Sequence, residues 1–329
     1  MDEPRPLEPV TASERALLGR YRVLQVLSVV MIVAGIVLGA IAVVGNPGIL
    51  SEEQTPESAR RFLGALLLLG LGALLLVSGL VMNATRAVIV RAALPPERYR
   101  GPAVFVLLLL ALILGNLVGL GAAADAIKLV AGGQLTVGGT LVLVTAIQAG
   151  MLIVVGGLVV LPRALAGLHL APRRSLWRDV LIGLGVAIPA WIAATLISAL
   201  IALILQAVGL APGPELVDRV VDRGEPTALL IGFVVVAPIA EELFFRGVVF
   251  NAWERERGTR VAVYGSAVLF AAIHGAVLFV PVLFLGVVLA HLYRVTRSLP
   301  ATMAVHACFN AISLTLALLV RLRILDLPI

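Results

Sequence analysis

The sequence has 329 residues, of which 60% are hydrophobic and 13% are charged, and its mean hydropathy is +1.08. Water-soluble domains carry about 25% charged residues, so a soluble chain of this length could not cover its surface with so few ions. The net charge of +6 comes almost wholly from arginine, because Lys128 is the single lysine. No basic cluster is interleaved with aromatic residues, so nothing indicates a nucleic-acid partner. The composition predicts a polytopic protein of the lipid bilayer.

The first 22 residues are predicted to be a cytoplasmic N-terminal segment. They include Asp2, Glu3, Glu8 and Glu14, and they lack a small-residue cleavage site after a short apolar run. A secretory signal peptide would have a basic start and such a site. We therefore expect the first apolar segment to be retained as an anchor.

The apolar segments that follow are long enough to cross a membrane, since a helix needs about 20 residues to span the hydrocarbon core. No segment alternates with a period of two, as barrel strands would. The predicted fold class is all-α, a polytopic transmembrane helical bundle with eight or nine apolar segments. These segments are 23–44, 62–82, 103–124, 137–161, 180–208, 228–252, 261–280, 301–320 and a short one at 282–293.

Basic residues in the connections predict the orientation. With a cytoplasmic N-terminus and all nine segments crossing, the inner connections hold seventeen basic residues and the outer ones seven. Cytoplasmic loops carry an excess of Lys and Arg. We therefore expect an integral protein of the cytoplasmic membrane, with its N-terminus in the cytoplasm.

Three regions follow the N-terminal segment. Residues 23–162 are predicted to be a four-helix membrane region of unknown role, and residues 163–178 an amphipathic, Arg-rich connection. Residues 179–323 form the third region, whose helices contain ionisable side chains. Such side chains cost several kcal/mol in a bilayer, so each needs an explanation.

The sixth segment holds the sharpest cluster, in the sequence APIAEELFFRG. Glu242 and Arg246 are four residues apart, so they share one face of a helix and are predicted to pair. Glu241 points about 100° away from Glu242 and cannot share that partner. A carboxylate without a cationic partner in an apolar environment holds a proton more readily, which suits a general base or acid.

Two later segments repeat the four-residue spacing, with Phe270 and His274 in FAAIH and His306 and Asn310 in HACFN. A single intramembrane histidine or asparagine can be a structural hydrogen bond between helices, but polar pairs on three helices favour a common site. Placing His274 at the depth of Glu241 and His306 requires segments 261–280 and 282–293 to form a short hairpin that stops within the membrane.

The three motifs EELFFR, FAAIH and HACFN fit the patterns EExxxR, FxxxH and HxxxN in the same order. In this the sequence resembles the CAAX protease and bacteriocin-processing family of intramembrane endopeptidases, including type II CAAX prenyl endopeptidases, over roughly residues 178–320. The resemblance implies a protease-like core at 179–323. It also implies that Glu241 and His274 activate the attacking water, that His306 and Asn310 hold the oxyanion, and that Glu242 and Arg246 position the site.

Hydrolysis without a metal and with one both remain open. Glu241, His274 and His306 could bind zinc, which lowers the pKa of bound water, although no H-E-x-x-H pair is present. The expected substrate is a membrane-anchored protein or peptide, prenylated or not. The rival hypothesis is a non-enzymatic transporter or partner-binding scaffold that uses the same polar cluster to handle ions or protons. Transporters more often show broken helices in two related halves, whereas here the polar residues lie in the C-terminal part.

Overall fold

The computed structural model describes residues 21–44, 56–92, 103–130, 133–160, 175–209, 216–275 and 278–322, together with residues 11–13, 16, 19 and 324. In this part of the chain the regular elements are helices and no strand is present, so the predicted all-α fold class is confirmed. Residues 163–174 of the predicted connection at 163–178 lie outside the described residues. The same is true of most of the N-terminal segment.

Eight runs within the described ranges are long and apolar enough to span a membrane, and α9 is a shorter apolar helix. A 3₁₀ turn at Leu120–Ala122 joins α3 to α4. The helices are α1 (Arg22–Val44), α2 (Pro56–Ala92), α3 (Val104–Gly119), α4 (Ala123–Val130), α5 (Val137–Val160), α6 (Leu176–Ala207), α7 (Leu216–Arg223), α8 (Pro226–Arg257), α9 (Thr259–Ala272), α10 (Phe279–Thr296) and α11 (Leu299–Arg321).

The chain divides into two compact units, Met1–Val106 and Leu107–Ile329. In the first unit α1 and α2 pack closely, since a Cβ on Gly35 would lie 2.6 Å from the carbonyl oxygen of Gly72. Small residues let helix backbones approach each other where lipid provides no hydrophobic drive for association. The contact explains why these two apolar helices form a pair.

Helix α5 lies in the second unit with α6 to α11, so the boundary after Val106 does not coincide with the predicted division at residue 162. An apolar pattern predicts which segments cross a membrane, but it does not predict which of them pack together. The separate roles of residues 23–162 and 179–323 stay predictions.

Helix α8 is the packing centre of the second unit, where it contacts α5, α9, α10 and α11 and buries Phe244 and Phe245 fully. Two of its stretches, Ile231–Val236 and Leu243–Phe250, are π-helical. They flank a short α-helical segment, Ala237–Glu242, that carries both glutamates. Such π-helical stretches are rare and frequent at functional sites.

Helix α9 ends earlier than the predicted 261–280, because it stops at Ala272 and Gly275 then takes a φ of +90°. That conformation favours glycine. The apolar run GAVLFV continues the hydrophobic pattern across the turn, so composition alone could not locate the helix end. At about 21 Å, α9 is shorter than the hydrocarbon core of about 30 Å. Helix α10, with 18 residues and about 27 Å, is longer than the predicted short segment 282–293 and could span the core, so the short hairpin of α9 and α10 stays a prediction.

Charged and polar side chains hold the helices together at one end of the second unit. Arg297 donates to both carboxylate oxygens of Glu254, at 2.6 and 2.8 Å. Burial opposes the charge of Arg297, but the hydrogen bonds and charge of Glu254 outweigh it and raise the pKa of Arg297. The adjacent Ser298 caps α11 and donates to the buried carboxylate of Asp179 at 2.6 Å. These contacts fix the start of α11 relative to α6 and α8.

Candidate active site

Helix α8 contributes three buried side chains to the candidate site. Glu241 is 3% exposed, while Glu242 and Arg246 are fully buried. The predicted pair is confirmed, since Nη1 of Arg246 donates to Oε1 of Glu242 at 2.8 Å. Nη2 of Arg246 donates to the carbonyl of Gly286 on α10 at 3.1 Å. The buried arginine is therefore matched by one carboxylate and one backbone carbonyl.

Helix α11 brings His306 to the same carboxylate. Nδ1 of His306 lies 3.1 Å from Oε1 of Glu242, so this oxygen is shared by the histidine and Arg246. An ionised carboxylate can only accept hydrogen bonds, so Nδ1 of His306 is the donor. In the neutral ring, Nε2 of His306 then carries a lone pair and no proton.

His274 lies just beyond the end of α9, where its Nδ1 is 2.7 Å from the carbonyl oxygen of Phe270. A carbonyl only accepts, so here too Nδ1 donates and a neutral His274 presents Nε2 as an acceptor. The ring of Phe270 packs against the cluster, with its centroid 4.7 Å from the His274 ring, 5.6 Å from the His306 ring and 4.7 Å from the guanidinium carbon of Arg246. The side chain of His274 is 26% exposed, which makes it more accessible than His306 at 3%.

The two oxygens of Glu241 have different surroundings. Oε1 accepts a hydrogen bond of 2.8 Å from Nε2 of Gln148 on α5. Oε2 is buried and has no hydrogen-bond partner among the described residues. It lies 3.8 Å from Nε2 of His274 and 3.8 Å from Nε2 of His306. The unpartnered oxygen therefore faces both histidines.

Asn310 lies one turn after His306 on α11. Its Nδ2 donates to the carbonyl of Phe233 at 2.8 Å, within the first π-helical stretch of α8. Among the described residues, the recorded side-chain contact of Asn310 is thus with the backbone of α8. The structure brings Glu241, Glu242, Arg246, His274 and His306 together through direct contacts, and it links Asn310 to the same helix nearby.

Sequence analysis missed Gln148, because the segment at 137–161 has a generic apolar composition. A lone amide in such a segment was the available signal, since intramembrane polar groups need partners. The partner itself could not be predicted, because it depends on α5 packing beside α8.

The described residues contain no group of three or more His, Cys, Asp or Glu side chains in an arrangement that would hold a metal ion. Oε2 of Glu241 is 3.8 Å from Nε2 of His274 and 3.8 Å from Nε2 of His306. Neither this arrangement nor the family match below supports assignment as a metalloprotease.

The fold and the site define a polytopic membrane protein with a buried cluster of glutamate and histidine side chains. Residues 223–312 match the family model described as type II CAAX prenyl endopeptidase Rce1-like. The predicted resemblance to CAAX proteases is thereby confirmed over a range that contains all three motifs. Comparison with curated proteins returned no match, and comparison with solved structures returned none either.

Proposed function

We propose that this chain is an intramembrane endopeptidase that hydrolyses a peptide bond in a membrane-anchored protein or peptide. The observation that carries the proposal is the free Oε2 of Glu241, which is buried and lies 3.8 Å from Nε2 of both His274 and His306. The family match over residues 223–312 supports the protease class.

Glu241 and His274 activate the attacking water. Their separation of 3.8 Å is too long for a direct hydrogen bond and short enough for one water to bond to both. Oε2 of Glu241 and Nε2 of His274 are both acceptors, so they take the two hydrogens of that water. Its lone pairs then point toward the scissile carbonyl, and Glu241 takes the proton as the bond to carbon forms.

His306 donates to the oxyanion as an imidazolium. Because Nδ1 already donates to Glu242, Nε2 can donate only if the ring carries both protons. In that state the buried cluster balances two negative charges, on Glu241 and Glu242, with two positive charges, on Arg246 and His306. Such a balance lowers the cost of burying each charge.

Asn310 is the second oxyanion donor in this proposal. Its Nδ2 carries two hydrogens, and the bond to Phe233 uses one of them. The second remains for the substrate oxygen. Glu242 holds His306 through Nδ1, and Arg246 holds Glu242 in turn, so both residues position the histidine and leave the water to Glu241.

The eight apolar helices make this an integral membrane protein. We further propose that the membrane is the cytoplasmic one, with the N-terminus inside, because basic residues are in excess on the connections assigned to that side. The candidate substrate then presents its scissile bond from the membrane rather than from bulk water.

The test uses the purified chain in lipid nanodiscs with two probes, a prenylated CAAX peptide and an unprenylated peptide fused to an apolar anchor. Cleavage is followed by mass spectrometry. Glu241→Gln keeps the side-chain volume and cannot take a proton, so turnover should fall by at least about 100-fold. Glu256→Gln on the same helix is the matched control. A wild-type rate in Glu241→Gln at equal abundance would refute the assignment.

A further inference from the structure

We infer that Gln148 is a positioning residue for Glu241, one that selects which carboxylate oxygen reacts. The inference rests on the proposed function and extends it beyond the matched range of 223–312, because Gln148 belongs to α5. The side-chain amide donates to Oε1 of Glu241 at 2.8 Å, while Oε2 of the same carboxylate is left free.

The two oxygens of a glutamate are chemically equivalent, and the torsion that exchanges them is broad. A hydrogen bond to one oxygen removes that equivalence. With Oε1 held by Gln148, Oε2 stays directed at Nε2 of His274 and His306, each 3.8 Å away. Without the amide, the carboxylate can turn, and a water shared with His274 loses its fixed acceptor.

The side-chain amide of Gln148 lies on a face of α5 that also contacts α8 at two earlier positions. Thr140, Val144 and Gln148 are spaced four residues apart, so they lie on one side of that helix. Oγ1 of Thr140 accepts from the backbone N–H of Glu225 at 3.0 Å. At the next position, Gly232 leaves room for the side chain of Val144, which a Cβ there would overlap.

These contacts run along α8 in the same order as along α5, from Glu225 through Gly232 to Glu241. Helix α5 packs against α8 from its first turn to beyond Glu241, so the amide of Gln148 belongs to an extended interface between the two helices.

The experiment measures kcat and KM separately for Gln148→Met and Gln148→Glu in nanodiscs with the peptide probes. Methionine has a similar length and no N–H donor, and glutamate keeps the shape but replaces the donor with an acceptor. We expect kcat to fall by about 10- to 100-fold, the size of a lost charge-assisted hydrogen bond, with KM changed less than about threefold. Two variants keep the test informative if one fails to fold.

Thr145→Val is the matched control on α5, because the hydroxyl of Thr145 donates to the carbonyl of Leu141 in its own helix at 2.7 Å. It should keep kcat within about twofold of wild type. A purely structural role for Gln148 predicts less folded protein with unchanged kcat per folded molecule. That result in both variants would overturn the inference.

The outcomes also separate this inference from the proposed function. An inactive wild type refutes the proposed function and this inference with it. An active wild type, an inactive Glu241→Gln and unchanged kcat in Gln148→Met and Gln148→Glu would refute the role of Gln148 alone.

Discussion

At the scale of single residues, Oε1 of Glu242 organises the candidate site. It accepts from Arg246 at 2.8 Å and lies 3.1 Å from Nδ1 of His306, and the carboxylate and guanidinium are both fully buried. A buried charge that loses its partner is far more costly than the pair itself. The site therefore depends on Glu242 keeping its charge.

Glu242→Gln should destabilise the protein by about 3–5 kcal/mol, because Arg246 would remain buried without its counter-charge. Adding Arg246→Met should restore much of that loss. A double-mutant cycle on thermal unfolding in detergent measures the coupling between the two positions. Strictly additive effects would contradict the pairing.

His306 distinguishes a metal-free mechanism from a zinc-dependent one. If His306 is an oxyanion donor, His306→Ala should slow the chemical step by about 100- to 1,000-fold with little change in substrate binding. His291→Ala is the matched control, since His291 is exposed and its Nδ1 lies 3.1 Å from a carbonyl of its own helix. Elemental analysis of active protein should give well below one zinc per chain. Stoichiometric zinc that is lost in His306→Ala would contradict the donor role.

Some of these contacts were predictable from the sequence and others were not. The Glu242–Arg246 pair follows from helix geometry, because residues four apart share a face. The contact of Gln148 with Glu241 joins residues 93 positions apart and depends on how α5 packs. The ring nitrogen that each histidine uses also required the structure, since it is set by a partner on Nδ1.

At the scale of elements, one buried amide ties the second π-helical stretch of α8 to α10. Nδ2 of the buried Asn251 lies 2.9 Å from the carbonyl oxygens of Arg246 and Gly247 and 2.8 Å from the hydroxyl of Tyr293, so its two hydrogens are shared among three acceptors. Asn251 thus supports the turn of helix that carries Arg246.

Asn251→Leu should therefore destabilise the protein by about 1–3 kcal/mol, since it removes the hydrogen bonds of a buried amide. Asn116→Leu on α3 is the control. Its amide also donates to a carbonyl of its own helix, at 2.8 Å, but in an exposed position. Thermal unfolding in detergent compares the two variants. Equal stability changes would show that Asn251 is no more important than a surface amide.

The sequence predicted where α8 lies, because 228–252 falls within Pro226–Arg257, but it did not predict the change of helix type inside it. Residues 244–250 are all buried, so this stretch has no exposed face whose period could distinguish a π-helix from an α-helix. The side-chain amides of Asn251 and Asn310 donate to carbonyls within the two π-helical stretches. These contacts depend on how the helices pack, so the sequence alone did not predict them.

At the scale of the whole molecule, α8 sets the geometry of the site in the membrane. The helix is roughly 48 Å long at 1.5 Å per residue, longer than the hydrocarbon core. Glu241 lies close to its middle, whereas Asp222 and Glu256 lie near its opposite ends. The two ends should therefore emerge on opposite sides of the bilayer.

Cysteines at these two ends test the predicted orientation. In a Cys308→Ala background, which removes the single native thiol, Glu256→Cys should react with an impermeant thiol reagent from the cytoplasmic side and Asp222→Cys from the other side. Basic residues at 255, 257, 260, 294 and 297 cluster near Glu256 and favour the cytoplasm for that end. Val280→Cys, in the first turn of α10, should resist the reagent from the outer side, because the predicted short hairpin places the connection between α9 and α10 within the membrane. Labelling of Glu256→Cys and Asp222→Cys from the same side would contradict the orientation, and it would require α8 to turn back within the membrane.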